Sequence, residues 1–528
     1  MDRVVARLSR QEESAAYLTR TPATPGEASV QASVVAHLQG QADAIALLAQ
    51  AEKRFPDDAG LPAMRASLAL ELDRRDEARA ALDRARSIDP DDVGYLTTNA
   101  RYRSVISSDI DGALADLKRA IEIAPGDDAA WDDLAGVQSD RDATMEADAA
   151  HRRAVALNPE NIAVRTNYAL FLMGHEQMAD AKRELDAAEA LDPNTYAVLA
   201  AKGRYLLRMG KTEEGKKVLL EAAAINPTYG GALIGLAIAS YQSGAVQETE
   251  QALDNADRFD KDNPSIAMIR AGVAIDQFRA DDAIRDAREG LRRRQARGGF
   301  YSGYDVHRQA SSVLGDALEN LGLDEWGKYH KARAYDPFLA ASYDDEQSAG
   351  QLSPFVVTPP SGLYRYGSGS IFLPTNIQNF LLDPLGVASQ QRANSIESRA
   401  FFETSVIGGF SAQPGVTGWN GDVSFHGTNY DVVPLSYNFM GQISRPESVR
   451  ENDRNDFEGG AFELGLRPTL ADNVYLFGHL NRARIGYPGQ LFYPTPNDAL
   501  TSKGDTIGGG WSHTISEKNV VQAFAMYE

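Results

Sequence analysis

The chain has 528 residues, too many for one ordinary domain, and its 43% hydrophobic content suits folded cores rather than disorder. A formal charge of −21 repels phosphate backbones, so nucleic acid is not expected as a partner; the one basic run (Arg292, Arg293, Arg294, Arg297) lacks an aromatic platform and reads as a solvated helix end. There is no cysteine, which removes disulfides, thiolate metal sites and cysteine nucleophiles.

Residues 1–24 form a lead-in. Arginines occur in the first ten residues, but no apolar run of signal-peptide length follows. No stretch reaches the roughly 20 apolar residues of a membrane-spanning helix.

Proline then marks a period. Pro56, Pro90, Pro125, Pro159, Pro193 and Pro227 lie 34, 35, 34, 34 and 34 residues apart, and Pro264 and Pro337 continue the series less regularly. Each of the first six closes a similar phrase: AEKRFP, ARSIDP, AIEIAP, AVALNP, AEALDP, AAAINP. With each of these prolines counted as position 32, small residues recur at positions 8, 20 and 27. Examples are Ala32, Ala44 and Ala51; Ala66, Ala78 and Ala85; Ala135, Ala147 and Ala154; Ala169, Ala181 and Ala188; and Gly203, Gly215 and Ala222. Two antiparallel helices can cross closely only where facing side chains are small, and proline ends the second helix. One such hairpin cannot bury its face alone, so neighbours must stack.

This pattern resembles the tetratricopeptide repeat family. The resemblance implies an α-solenoid of about nine repeats over 25–337, interrupted at 292–304 before the last. It also implies a concave groove, lined by the first helix of each repeat, that holds a protein or polymer partner. On the family's groove positions stand Asp132, Asp140, Thr166, Arg204, Arg208 and Tyr241, with Asn99 and Arg103 nearby in a repeat one residue longer. The family's lysine–asparagine clamp for a terminal carboxylate is absent. Arg204 and Arg208, one helical turn apart, are expected to meet an anionic group.

A linker is expected over 338–398. From 355 to 528 the chain holds 23 of its 44 aromatic residues, and the hydrophobic period changes to two. About seven antiparallel strands are expected over 399–528, at 400–410, 422–428, 435–443, 461–466, 474–485, 506–515 and 520–527. Apolar faces rich in aromatics alternate with small or polar ones, which suits part of a transmembrane β-barrel, with a soluble β-module as the other reading. The layout is similar to bacterial outer-membrane proteins in which periplasmic tetratricopeptide repeats precede a barrel, as in exopolysaccharide export, and the strand texture is similar to TonB-dependent-receptor barrels. The resemblance implies a non-catalytic scaffold that engages a protein or polysaccharide beside the outer membrane, with a periplasmic repeat region. The alternative is a cytoplasmic, co-chaperone-like assembly scaffold. The barrel reading also carries the expectation that the sequence is cut at both ends, since a barrel must close.

Enzyme chemistry and a bound cofactor are not expected. No phosphate loop, dinucleotide turn, zinc-protease helix or serine-nucleophile turn occurs. Glycines 508–510 lie within a strand, where they mark crowding.

Overall fold

The computed structural model describes residues 20–297, 314–334, 377, 380–391 and 399–527, apart from single positions and short gaps inside these ranges. The lead-in before residue 20, the insertion beyond 297 and most of the expected linker lie outside the described residues. Two compact units form. One comprises 1–171, 186–193 and 292–304; the other comprises 172–185, 194–291 and 305–528.

The first unit is built of helical hairpins: Pro25–Leu38 with Gln41–Arg54, Gly60–Glu71 with Arg75–Ile88, Val93–Tyr102 with Ile110–Ile123, and Asp128–Asp140 with Thr144–Leu157. Ala32, Ala44, Ala66, Ala78, Ala85, Ala135, Ala147 and Ala154 are fully buried where the helices cross. Helix starts are fixed by short acidic caps: Asp92 accepts from the Tyr95 amide, and Asp127 from the Ala129 and Ala130 amides. The longer repeat between Pro90 and Pro125 absorbs its extra residue as a π-turn at Arg103–Ser107. Side chains about one repeat apart bond to one another. Arg101 donates to Ser67, Ser104 to Asp140, Asn161 to Asp128 and Asn167 to Asp132. Neighbouring hairpins are therefore held in register by polar bonds as well as by alanine packing.

The second unit continues the same pattern with Tyr196–Arg208 and Thr212–Ile225, Gly230–Gln242 and Val246–Phe259, and Pro264–Asp276 and Ala280–Arg297. Its first hairpin crosses at Gly203 and Gly215. A Cβ at Gly203 would lie 2.5 Å from Leu219, and one at Gly215 would lie 3.0 Å from the Gly203 carbonyl. Alanine would be too large for this crossing.

A seven-stranded antiparallel meander completes the unit. The order is β1 (Phe401–Gln413), β2 (Val416–Asn429), β3 (Leu435–Arg445), β4 (Asn455–Leu466), β5 (Asp472–Gly486), β8 (Ala499–Ser516) and β9 (Asn519–Tyr527). A small hairpin, β6 (Gly489–Gln490) and β7 (Tyr493–Pro494), projects from the β5–β8 connection. All seven expected strands are present. Among the described strands the sheet is open, with β1 and β9 as edges.

Within the expected linker, residues 380–391 are folded against the sheet. The 3-10 helix Pro384–Gln391 packs on β2, β3, β4 and β5. Ile377, Phe380, Leu381 and Val387 form a core with Tyr475 and Phe477, and the Phe380 and Tyr475 rings stack at 4.8 Å. Gly465 is required here, since a Cβ there would collide with the Pro384 carbonyl.

Candidate functional site

The expected groove residues divide between the units. In the first, Asn99 and Arg103 converge on Asp116: the Asn99 amide donates at 2.7 Å and the Arg103 guanidinium lies 3.2 Å away. Burial raises the Asp116 carboxyl above its usual range, opposed by these two partners. Asp132 is held by His151 at 3.2 Å and Asn167 at 2.7 Å. Asp140 accepts from Ser104 at 3.0 Å. Thr166 is buried and donates back to the Ile162 carbonyl in its own helix. In the second unit, the Tyr241 hydroxyl donates to Asp276.

Arg204 and Arg208 differ from expectation. They are 7% and 4% exposed, so neither is an open groove cation. Arg208 pairs with Glu176 at 3.3 Å, and Glu176 pairs in turn with Arg467 from the β4–β5 turn. Arg467 also meets Asp383 at 3.5 Å. Tyr430, from the β2–β3 turn, is buried against Arg208; burial pushes its hydroxyl up to about 12, with Arg208 opposing. Burial likewise raises the Asp383 carboxyl, with Arg467 opposing. The backbone joins in. The Ala400 backbone amide, just before β1, donates to the Arg208 carbonyl at 2.7 Å, and the Gln177 side-chain amide donates to the Arg467 carbonyl at 3.5 Å. Two helical turns, at 176 and 210, therefore seat one end of the sheet.

The two faces of the sheet are unlike. On one, cross-strand register aligns Phe402, Val406 and Phe410 of β1 with Gly427, Val423 and Trp419 of β2. The row Phe425, Phe439 and Phe462 crosses three strands with stacked rings 4.8 and 6.2 Å apart. Leu476, Leu480, Ile507 and Trp511 extend this face across β5 and β8. Much of it is open: Val406 is 76% exposed and Leu480 60%.

The opposite face is largely covered, and beside the apolar core of Phe380, Tyr475 and Phe477 it carries many polar side chains. His426, Asn438, Glu463, His479, Asn481 and Ser512 are all buried there. Glu463 accepts from Asn438 at 3.1 Å and from the Tyr475 hydroxyl at 3.2 Å. Ser436 accepts from the Ala388 amide at 2.8 Å, and Ser512 and Asn473 donate to the Leu381 carbonyl. A cavity of about 180 Å³ remains on this side, lined by polar Ser405, Asp422, Gln442 and His479 and by apolar Ile407, Met440 and Phe457. Among the described residues no cluster of His, Asp or Glu could hold a metal ion. No described helix is long and apolar enough to cross a membrane.

A tetratricopeptide repeat family profile matches residues 42–100 and 206–272, which fall on these helical hairpins. The chain carries tetratricopeptide repeats in these stretches. Among solved structures it is similar to a tetratricopeptide repeat protein from Parabacteroides merdae, at 15% identity over 46% of this chain and 91% of that one, TM-score 0.34. It is similar to pilF of Pseudomonas aeruginosa at 22% identity, over 42% of this chain and 92% of that one, TM-score 0.30. It is also similar to human IFIT1, solved as a dimer with m7Gppp-AAAA, at 15% identity over 72% of this chain and 91% of that one, TM-score 0.42. No curated protein matches the chain. Repeats of this kind make a protein-binding scaffold, and here they are followed by an antiparallel sheet.

Proposed function

We propose that the chain is a non-catalytic scaffold whose repeats hold a protein or polysaccharide partner on the periplasmic side of an outer-membrane β-barrel, of which the sheet is a part. The observation that carries this reading is the inverted sheet. A sheet in water buries its apolar face; here the aromatic face is open and the face rich in Ser, Asn, His and Glu is covered. Lipid outside and a polar lumen inside reverse the usual rule.

Two further features support it. Strands of 9 to 18 residues reach or exceed the roughly 9–11 that a tilted strand needs to span a bilayer. At the end seated on the repeats the connections are short, at 430–434, 467–471 and 517–518. At the other end two of the three are longer, at 446–454 and 487–498. Outer-membrane barrels have short periplasmic turns and long outer loops, and this asymmetry supports a periplasmic side for the repeats. The net charge of −21 favours a partner other than nucleic acid.

The test is to express the chain behind an export signal in a Gram-negative host and wash the membranes with urea. Retention in the outer-membrane fraction, with the repeats cut by protease only after the outer membrane is opened, is expected. Recovery as a soluble periplasmic protein would sink the reading.

A further inference from the structure

In the described turns of the second unit, the first helix of a repeat ends in a left-handed residue. In the second unit the equivalent positions are Glu176 (φ 59), Gly210 (φ 75), Gly244 (φ 75) and Phe278 (φ 56), and Gly322 (φ 73) closes a later turn in the same way. Each following amide bonds five residues back: Gln177 to Leu172, Lys211 to Leu206, Ala245 to Ser240, Arg279 to Ala274 and Leu323 to Leu318. Glycine takes this conformation without cost, whereas a bulky side chain is strained by about 1–2 kcal/mol. Two positions accept that strain. At Glu176 the reason is visible, because its carboxylate grips Arg467 and Arg208.

Among the described residues Phe278 has no such partner. Its ring is 89% exposed, among the most exposed of the large apolar side chains. The next turn of the same kind continues the apolar edge: Leu321 and Leu323 flank Gly322 and are 45% and 42% exposed. This is the edge that seats the sheet. The turns at 176 and 210 meet the ends of the strands, and a Cβ on Gly210 would lie 2.8 Å from the Ala400 carbonyl. Further along, the edge carries exposed apolar groups instead of strand contacts.

The geometry points to a lipid surface as the partner of Phe278, Leu321 and Leu323. This rests on the reading of the sheet as a membrane barrel. If the strands enter a bilayer from the turns at 176 and 210, the same edge two repeats on lies against its periplasmic surface. Aromatic and aliphatic side chains there enter the boundary between headgroups and acyl chains. A strained phenylalanine gains contacts that glycine would not make.

The chain's lack of cysteine makes a direct test available. Single variants Phe278→Cys, Leu323→Cys, Val423→Cys and Glu221→Cys of the whole chain are spin-labelled and reconstituted into phosphatidylethanolamine–phosphatidylglycerol vesicles. Collision with oxygen, which partitions into lipid, is compared with collision with a water-soluble nickel chelate. Labels at 278 and 323 are expected to show a raised oxygen-to-nickel ratio at headgroup depth, with 423 deeper and 221 unchanged from water. If 423 reports lipid while 278 and 323 behave like 221, the lipid contact is overturned and the barrel reading stands; the edge is then left to a protein. If 423 also reports water, both fall.

Discussion

Arg467 of the sheet and Glu176 of a helical turn, 291 positions apart in sequence, form an ion pair in which each side chain is only 16% exposed. Glu176 also meets Arg208, and Arg467 also meets Asp383, so the pair ties the repeats, the sheet and the segment packed on its polar face. Removing Arg467 leaves two acidic groups short of a partner. Arg467→Ala is expected to destabilise the chain by about 3 kcal/mol, the lower end of the range for breaking a buried pair, because Arg208 still serves Glu176. Arg467→Ala combined with Glu176→Gly should cost less than the sum of the two single changes. Denaturant unfolding of the four proteins measures the coupling, and strict additivity would show that the pair is idle.

Gly203 and Gly136 are both helical glycines, with opposite surroundings. At Gly203 a Cβ would press on Leu219, whereas at Gly136 nothing lies within 4 Å. Gly203→Ala should therefore lose about 1–3 kcal/mol by overpacking. Gly136→Ala should gain about 0.5–1 kcal/mol through helix propensity. Melting temperatures that move in the same direction would contradict the crossing geometry.

Much of this packing was legible beforehand, because the repeat spacing is set locally. Proline spacing and the alanine positions depend on helix geometry within about 34 residues, and the buried alanines fall on them. The strands were legible for the same reason, through period-two alternation. What escaped was long-range. The family positions place Arg204 and Arg208 on the groove, but Arg208 is taken up by Glu176 and Tyr430, and Tyr430 lies more than two hundred positions away. Residues 380–391 read as linker because their apolar side chains have no period. Their order comes from Tyr475, Ser436 and Ser512. Phe278 gives no sign in composition; only alignment with Gly210 and Gly244 at the same point of the repeat marks it as unusual.

Asp133 gives a pH dependence. Burial pushes its carboxyl up to about 7; Arg101 opposes the rise, and Asp132 and Asp127 add to it. In the unfolded chain the group titrates near about 3.9. A raised folded value means that the group's favourable contribution is complete below about pH 4 and is lost as pH rises towards about 7. Asp133→Asn removes that loss. The variant should melt above the parent near pH 8 and lose this advantage near pH 4. An advantage that is constant with pH would assign the effect to something other than ionisation.

Phe278→Gly should raise stability while removing the exposed ring. The left-handed conformation costs a phenylalanine about 1–2 kcal/mol, and glycine returns part of the gain through its freer unfolded chain. A net rise of about 0.5–1 kcal/mol is expected in unfolding of the protein without lipid. Glu176→Gly, at the equivalent turn, should instead lower stability, because the ion pairs to Arg467 and Arg208 go with the side chain. A fall for both variants would mean that the phenyl ring stabilises the helical array itself.

Val423 separates the two environments open to the sheet. It stands on the apolar face of β2, directly opposite Val406 and Gly441, and is 44% exposed. Ser424, the next residue, points to the polar face and lines the cavity. If the apolar face meets water, Val423→Arg replaces a half-exposed methyl pair with a solvated cation, and stability should change by no more than about 0.5 kcal/mol. If it meets lipid, an arginine towards the middle of the bilayer costs about 2–4 kcal/mol. Unfolding from vesicles and from a lipid-free solution then gives different answers for one substitution. The membrane reading requires a large loss only in vesicles. Ser424→Arg provides the control, since a lumen-facing cation can be hydrated and should lose little of its stability on moving from solution to vesicles. Equal losses at both positions in vesicles would show that the faces have been assigned the wrong way round.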